Sequence, residues 1–230
     1  MNGSRVLIFF LFWLALITDC LFIFLHKIQY RIYAKTLLAP LLLVAIFIEA
    51  NDTKHTRSKL IANAAFFFCF LGDLILLKDY IATNFIFGLI SFLIAHIFFI
   101  VFFYRLKPFT ARHVTSISIT GIIIMAYIIL LLFLVWQNVN QQNFVIPLVV
   151  YSVVIGFMLL TAINTKHNRK VKRLAYAYFI PGAIFFVLSD SILAISKFYL
   201  DFNYSAVPIM LTYGIAIFLL ANGIIRFLKK

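Results

Sequence analysis

The sequence contains few of the residues that a soluble protein uses on its surface. Only 12% of its 230 residues are charged, and just seven are aspartate or glutamate. A soluble domain carries about 25% charged and roughly 45–50% apolar residues. Here the net charge is +13 and hydrophobic residues make up 65% of the chain. A soluble protein of 230 residues could not bury so much apolar surface away from water. The composition therefore predicts a protein that crosses the membrane several times.

The sequence also lacks the short motifs of several enzyme classes. It has no Gly-x-Ser-x-Gly elbow, no phosphate-binding loop and no dinucleotide fingerprint, which argues against a serine hydrolase or an ATP-driven pump. Its two cysteines, Cys20 and Cys69, fall in apolar stretches and are predicted to be buried free thiols. Because no HExxH motif or carboxylate–histidine cluster is present, we expect no metal site.

Polar loops divide the chain into apolar stretches of about 20 residues, the length of a transmembrane helix. The sequence therefore predicts an all-α, polytopic integral membrane protein with a single transmembrane domain over residues 1–230. The first stretch resembles a signal peptide, but Asp19 does not fit a lipoprotein cleavage box, so we expect an uncleaved helix. The eight predicted helices lie near 5–25, 32–50, 60–78, 83–104, 115–136, 144–163, 174–196 and 204–227.

Lysine and arginine are distributed unequally between the two sets of loops. The termini and the loops after the second, fourth and sixth helices hold 15 of the 20 basic residues. The positive-inside rule then predicts a multi-pass inner-membrane protein with both termini in the cytoplasm. We attribute the net charge to this topology, expect membrane lipids as contacts, and expect no nucleic-acid partner. Asp52, Asp79 and Asp201 fall in loops and are predicted to be solvated.

Two aspartates interrupt apolar helices in similar surroundings. The segment 68–76 (FCFLGDLIL) contains Asp73, and the segment 185–193 (FFVLSDSIL) contains Asp190. A carboxylate at the centre of a membrane helix costs about 2.5–3.5 kcal/mol on insertion scales, so such residues mark functional sites. Two carboxyl groups in one apolar site can act as general acid and general base. Asp73 and Asp190 are therefore candidate catalytic residues, with helix packing through ion pairs as the structural alternative.

The predicted topology places several polar residues at one depth. At 1.5 Å per residue, Asp19, Lys35 and both candidate aspartates lie roughly 8–9 Å inside the outer boundary, so one cluster could hold them. Lys35 is either a boundary residue or a phosphate contact. The offset of 117 residues between the aspartates also carries His96 onto Tyr213, which suggests a parallel repeat of two four-helix halves.

Three blocks of the sequence resemble a known family. They are 35–40 (KTLLAP), then 70–73 (FLGD) with 87–92 (FGLISF) and 95–99 (AHIFF), then 181–193 (PGAIFFVLSDSIL) with 197–198 (KF) and 212–213 (TY). On these blocks the chain resembles the YhhN-like lysoplasmalogenases, integral membrane enzymes with an eight-helix profile. The resemblance covers residues 35 to about 220. Thr36 departs from it, because the family commonly has proline after the lysine, which affects local helix shape.

The resemblance implies hydrolysis of the vinyl ether bond of lysoplasmalogens to a fatty aldehyde and a glycerophospho-ethanolamine or glycerophosphocholine. The substrate is then a lysophospholipid, no cofactor is required, and aromatic helices line an acyl tunnel open to lipid. We expect Asp73 and Asp190 to share acid–base catalysis, in either order. The candidates for binding or orienting the substrate are Lys35, His96, Tyr151, Ser189, Tyr213 and Asp19.

Two other functions compete with this interpretation. Intramembrane aspartyl proteases also use two membrane aspartates, but they carry Gly-x-Gly-Asp where residues 70–73 read FLGD, and this chain has no Pro-Ala-Leu. A lipid or small-molecule transporter would also explain charges within the membrane and an internal repeat. Cleavage of a transmembrane peptide, or substrate uptake without a chemical product, would distinguish these functions from lipid hydrolysis.

Overall fold

The structure is a computed structural model that describes residues 3–50, 53–78, 80–141, 144–200 and 202–229. Within these ranges it is all-helical, and the prediction of eight membrane-spanning helices is confirmed. Asp52, Asp79 and Asp201, predicted to be solvated, lie outside the described residues. The helices are α1 (Gly3–Phe24), α2 (Ile28–Glu49), α3 (Thr56–Lys78), α4 (Ala82–Leu106), α5 (Ala111–Val139), α6 (Val145–His167), α7 (Lys172–Phe198) and α8 (Ala206–Leu228).

Several helices extend beyond their predicted ends. Helix α3 begins at Thr56 rather than near residue 60, because basic side chains are accommodated in its first turns. The Lys59 ammonium, for example, donates to the Phe47 carbonyl at 3.2 Å and lies 4.6 Å from the centre of the Phe47 ring.

Proline interrupts two helices at positions that matter for the rest of the molecule. Pro40 has no amide to donate to the carbonyl of Thr36, and α2 is broken by a turn at Thr36 and Leu37. Pro181 likewise cannot donate to the carbonyl of Ala177, and α7 is π-helical over Ala175–Phe179. The first break isolates the short segment Arg31–Lys35, and the second widens the start of α7.

Six helices pack side by side in a closed ring, in the order α2, α3, α4, α6, α7 and α8. Helix α1 packs outside this ring against α2 and α8, and α5 packs outside it against α6 and α7. Helix α8 is the most enclosed, with 61% of its most apolar segment buried, whereas only 6% of the corresponding segment of α5 is buried. The ring therefore forms the core, while α5 presents most of its surface to lipid.

The first and last described residues of the chain lie at one end of the bundle, called here the terminal end. Arg5 near the start of α1 bonds Asn222 near the end of α8, and Lys229 pairs with Glu49 at the end of α2. Asn164 of α6 donates to the Lys107 carbonyl after α4 at 2.8 Å. These contacts are those of an up-and-down bundle. The predicted four-plus-four repeat stays a prediction.

Phenylalanine fills the interior of the ring. The Phe186 ring of α7 is fully buried and lies 6.2 Å from the Phe92 ring and 4.6 Å from the His96 ring of α4, centre to centre. Gly72 of α3 makes this packing possible, because a Cβ there would lie 2.6 Å from the Phe92 ring. The glycine in front of Asp73 thus allows a close approach of α4.

Candidate active site

A polar cavity of about 80 Å³ lies inside the ring, and all six ring helices contribute to its wall. It holds both candidate catalytic aspartates and four of the six candidate orienting residues. The other two, His96 and Asp19, contact the lining from behind it. The polar side chains of the wall are Arg31, Lys35, Asp73, Tyr151, Ser189, Asp190 and Tyr213.

Asp73 lies near the end of α3 and is 2% exposed. Its Oδ2 accepts a hydrogen bond of 2.6 Å from the Tyr213 hydroxyl of α8. Lys35 and Arg31 line the same cavity wall as Asp73. Asp73 is therefore a buried carboxyl group with one hydroxyl donor and two cations in the same cavity wall.

Asp190 lies in α7 and has different partners. Its Oδ2 accepts a hydrogen bond from the Tyr151 hydroxyl of α6 and lies 3.5 Å from His96 Nε2 of α4. The same histidine nitrogen is 3.1 Å from the Tyr151 oxygen, so the three side chains form one cluster. His96 is fully buried, whereas the Asp190 side chain is 17% exposed. Asp190 is thus the more accessible of the two carboxylates.

Each aspartate has a partner from the other half of the sequence. Asp73 of the first half bonds Tyr213 of the second, and Asp190 of the second half contacts His96 of the first. These are the two pairs that the 117-residue offset equates. The two carboxylates consequently have separate hydrogen-bond partners on opposite sides of one cavity.

Arg31 lines the polar cavity, although the sequence indicates only a basic residue in the loop after α1. Its Nε and Nη2 donate to both carboxylate oxygens of Asp19 at 3.0 and 3.1 Å. Asp19 is fully buried and reaches the cavity only through this bidentate pair. The signal in the sequence was spacing, because Arg31 precedes Lys35 by four residues and so shares its helix face.

Ser189 lines the cavity, and its hydroxyl donates to the backbone carbonyl of Ile209 at 3.0 Å. This bond joins α7 to α8 directly beside Asp190. In the described part of the chain, no group of three or more histidine, cysteine or acidic residues could hold a metal ion.

A second cavity, of about 280 Å³, lies between α4, α5, α6 and α7. Its lining is almost entirely aliphatic and aromatic, with Ser152 and Ser191 among the few polar residues. It shares four wall residues with the polar cavity, namely Leu89, Tyr151, Asp190 and Leu193. An amphiphile with its head in the polar cavity and its chain in the apolar one would therefore place its head–chain junction at Asp190.

These features define a polytopic membrane protein with a carboxylate-lined cavity inside its helical bundle. Residues 30–224 match the model of the YhhN family, and the chain belongs to that family. Lysoplasmalogenases from Mycobacterium bovis and Mycobacterium tuberculosis are each 31% identical to it over 152 residues, which is 66% of this chain and 55% of theirs. The chain thus spans about half the length of the curated relatives it matches. No solved structure matches it.

Proposed function

We propose that this chain is a lysoplasmalogenase, a membrane hydrolase that cleaves the vinyl ether bond of lysoplasmalogens. The products are a fatty aldehyde and glycerophospho-ethanolamine or glycerophosphocholine. The observation that carries the proposal is the position of Asp190 where the polar and apolar cavities join. A lysoplasmalogen has its vinyl ether at the same place, between its head and its chain. The relatives named lysoplasmalogenase support the same reaction.

The two cavities fit the two parts of this substrate. The head-group phosphate binds near Arg31 and Lys35, because guanidinium and ammonium groups form strong charge-assisted hydrogen bonds with phosphate. The alkenyl chain occupies the apolar cavity between α4, α5, α6 and α7. This pose presents the enol-ether carbons to Asp190 and leaves Asp73 on the side of the head group.

Asp190 is the general acid in this mechanism. It lines the apolar cavity, which Asp73 does not, and the carbon to be protonated belongs to the chain. Transfer of its proton to the second carbon of the alkenyl group forms a C–H bond from the electrons of the double bond. The positive charge that remains is an oxocarbenium ion, shared by the first carbon and the ether oxygen.

Asp73 is the general base in this mechanism, with the cations Lys35 and Arg31 in the same cavity wall. Its carboxylate stabilises the oxocarbenium ion and takes a proton from the water that adds to the first carbon. The resulting hemiacetal then gives its hydroxyl proton to the Asp190 carboxylate as the aldehyde forms. Asp73 returns its proton to the departing glycerol oxygen, and both residues regain their starting states.

Tyr151 and His96 act as positioning residues. Because Tyr151 donates to Oδ2 of Asp190, the acidic proton is left on Oδ1, where it can face the substrate. His96 Nε2 approaches the same Oδ2 and limits rotation of the carboxyl group. Tyr213 holds Asp73 in the same way from α8.

The distribution of basic residues supports an inner-membrane location with both termini in the cytoplasm. In this orientation the polar cavity opens toward the outer leaflet, because it lies at the end of the bundle opposite the termini. Locating the termini with membrane-impermeant labels on intact cells would test the orientation independently of activity.

The test of the function is mass spectrometry of the purified protein incubated with 1-alkenyl and 1-acyl lysophosphatidylethanolamine. We expect aldehyde from the alkenyl lipid alone. In the Asp190→Asn and Asp73→Asn variants the rate should fall at least about 100-fold, the lower range for loss of a general acid or base. Glu49→Gln is the matched control, since Glu49 is also a buried carboxylate but lies at the terminal end.

Several results would contradict the proposal. Full activity in both folded aspartate variants would rule out the carboxylate mechanism. Release of fatty acid from the acyl lipid would indicate a lysophospholipase instead. Cleavage of a transmembrane peptide would indicate a protease, and lipid movement between vesicle leaflets without any product would indicate a transporter.

A further inference from the structure

The terminal end of the bundle holds a third pocket, remote from the aspartates. It has a volume of about 570 Å³ and lies between the ends of α1, α7 and α8. Among the described residues, four basic side chains line it, together with the aromatic side chain of Tyr178. The basic residues are Arg5, Arg173, Arg226 and Lys229.

Arg5 is the most unusual member of this pocket, because it is a cation with only 7% of its surface exposed. Its Nη2 donates to Asn222 Oδ1 at 2.8 Å, and its guanidinium lies 5.0 Å from the centre of the Phe9 ring. Its Nε is buried and has no hydrogen-bond partner in the part of the chain that the structure describes. A buried charge without an anionic partner is costly, so Arg5 is poised to bind an anion.

The neighbouring charges increase this demand for an anion. Arg226 carries a like charge that opposes that of Arg5, and its guanidinium lies 5.1 Å from the centre of the Tyr178 ring. Lys229 forms an ion pair with Glu49. Within the described ranges, Glu49 also acts on the charge of Arg5, and this single carboxylate does not offset the four cations that line the pocket.

The π-helical segment Ala175–Phe179 forms one wall of the pocket and places Tyr178 in it. Such segments are frequent at functional sites, because the widened turn moves side chains out of helical register. Gly223 of α8 packs against this wall, and a Cβ there would lie 2.8 Å from Tyr178 Cβ. The close contact fixes the position of the Tyr178 ring beneath Arg226.

We propose that this pocket binds the phosphate group of an acidic phospholipid. Arginine side chains match phosphate geometry through paired hydrogen bonds. Basic pockets between transmembrane helices are suited to acidic head groups, and Leu174 and Ala177 supply apolar surface beside the cations. A neighbouring groove lined by Arg169, Lys172 and Arg173 extends the positive charge toward the membrane surface. The site goes beyond the proposed hydrolysis and does not depend on it.

Native mass spectrometry of the full-length protein tests this site, with phosphatidylglycerol and phosphatidylcholine as the probes. We expect one phosphatidylglycerol molecule to remain bound in preference to phosphatidylcholine. Arg226→Gln and Arg173→Gln should each weaken binding about fivefold, since a basic residue near the surface contributes about 1 kcal/mol. Both residues are exposed, so these variants avoid the folding risk of replacing Arg5. Arg105→Gln is the matched control, an exposed arginine in the last turn of α4 at the same end.

Equal retention of both lipids, or equal phosphatidylglycerol binding by the Arg226, Arg173 and Arg105 variants, would overturn the proposal. A competition with inorganic phosphate separates the two sources of a phosphate group. Retention of the lipid in excess phosphate supports a lipid site. Displacement by phosphate that is lost in Arg226→Gln overturns the lipid assignment and identifies free phosphate as the ligand.

Discussion

Replacing Tyr151 with phenylalanine is the sharpest test of the proposed site, because it removes a single oxygen atom. That oxygen donates to Asp190 and lies 3.1 Å from His96 Nε2. Both partners are buried or nearly so, and bulk water cannot readily replace the lost donor. The ring itself remains, so the shape of both cavities at their junction is retained.

The size of the effect follows from the charge that develops on Asp190. A hydrogen bond to a charged group contributes about 1.5–3 kcal/mol. The bond from Tyr151 strengthens when Asp190 gives up its proton, so the loss falls mainly on the transition state. With about 1.4 kcal/mol for each factor of ten, Tyr151→Phe should lower kcat about 10- to 150-fold. KM should change little, because the tyrosine hydroxyl bonds the carboxylate rather than the substrate.

The assay is aldehyde release from 1-alkenyl lysophosphatidylethanolamine, measured over a range of substrate concentrations. Tyr127→Phe is a matched control, since Tyr127 lines the same apolar cavity but donates to Ser191 Oγ at 2.7 Å. The Tyr127 variant should keep kcat within about twofold of the wild type, as expected for a change remote from the reacting atoms. If the two folded variants had the same kcat, Tyr151 would not position the acid and the reasoning would fail.

Two further predictions concern packing and chain selection. Gly72→Ala should lower the free energy of unfolding by about 1–3 kcal/mol, because its Cβ would lie 2.6 Å from the Phe92 ring. Thermal unfolding in detergent measures this, and Gly121→Ala, whose nearest contact would be 3.9 Å away, should not lower the melting temperature. Ser152→Leu should narrow the apolar cavity. The ratio of kcat/KM for a short-chain substrate to kcat/KM for a long-chain substrate should then rise by at least about tenfold. Val153→Leu on the exposed face of α6 should leave that ratio as it is, and an unchanged ratio in the Ser152 variant would contradict chain binding there.

The sequence was sufficient to predict the eight helices. Hydropathy marks each span, and depth follows from counting turns from its end, which is why Lys35, Asp73 and Asp190 were expected at one level. The partners of each aspartate could not be predicted in this way. They depend on the order of helices in the ring, and α4 meets α6 rather than its chain neighbour α5.

The apolar cavity was equally hard to predict from the sequence. A leucine or isoleucine that faces lipid, a cavity or the protein core has the same hydropathy, so the role of α5 as a cavity wall left no signal. The terminal pocket was missed for a related reason. Arg173 and Arg226 were interpreted as markers of topology, and only the packing of α7 on α8 brings them together.

The meeting of the two cavities at Asp190 has a consequence for the products of the proposed reaction. The aldehyde is formed in the apolar cavity, one wall of which is α5, the helix with the least buried surface. The aldehyde therefore lies one helix away from the bilayer. The glycerophosphodiester is formed in the polar cavity and has lost the chain that held it in the membrane. The aldehyde therefore leaves toward the bilayer and the glycerophosphodiester leaves toward water. Their separation opposes the reverse reaction at the point of cleavage.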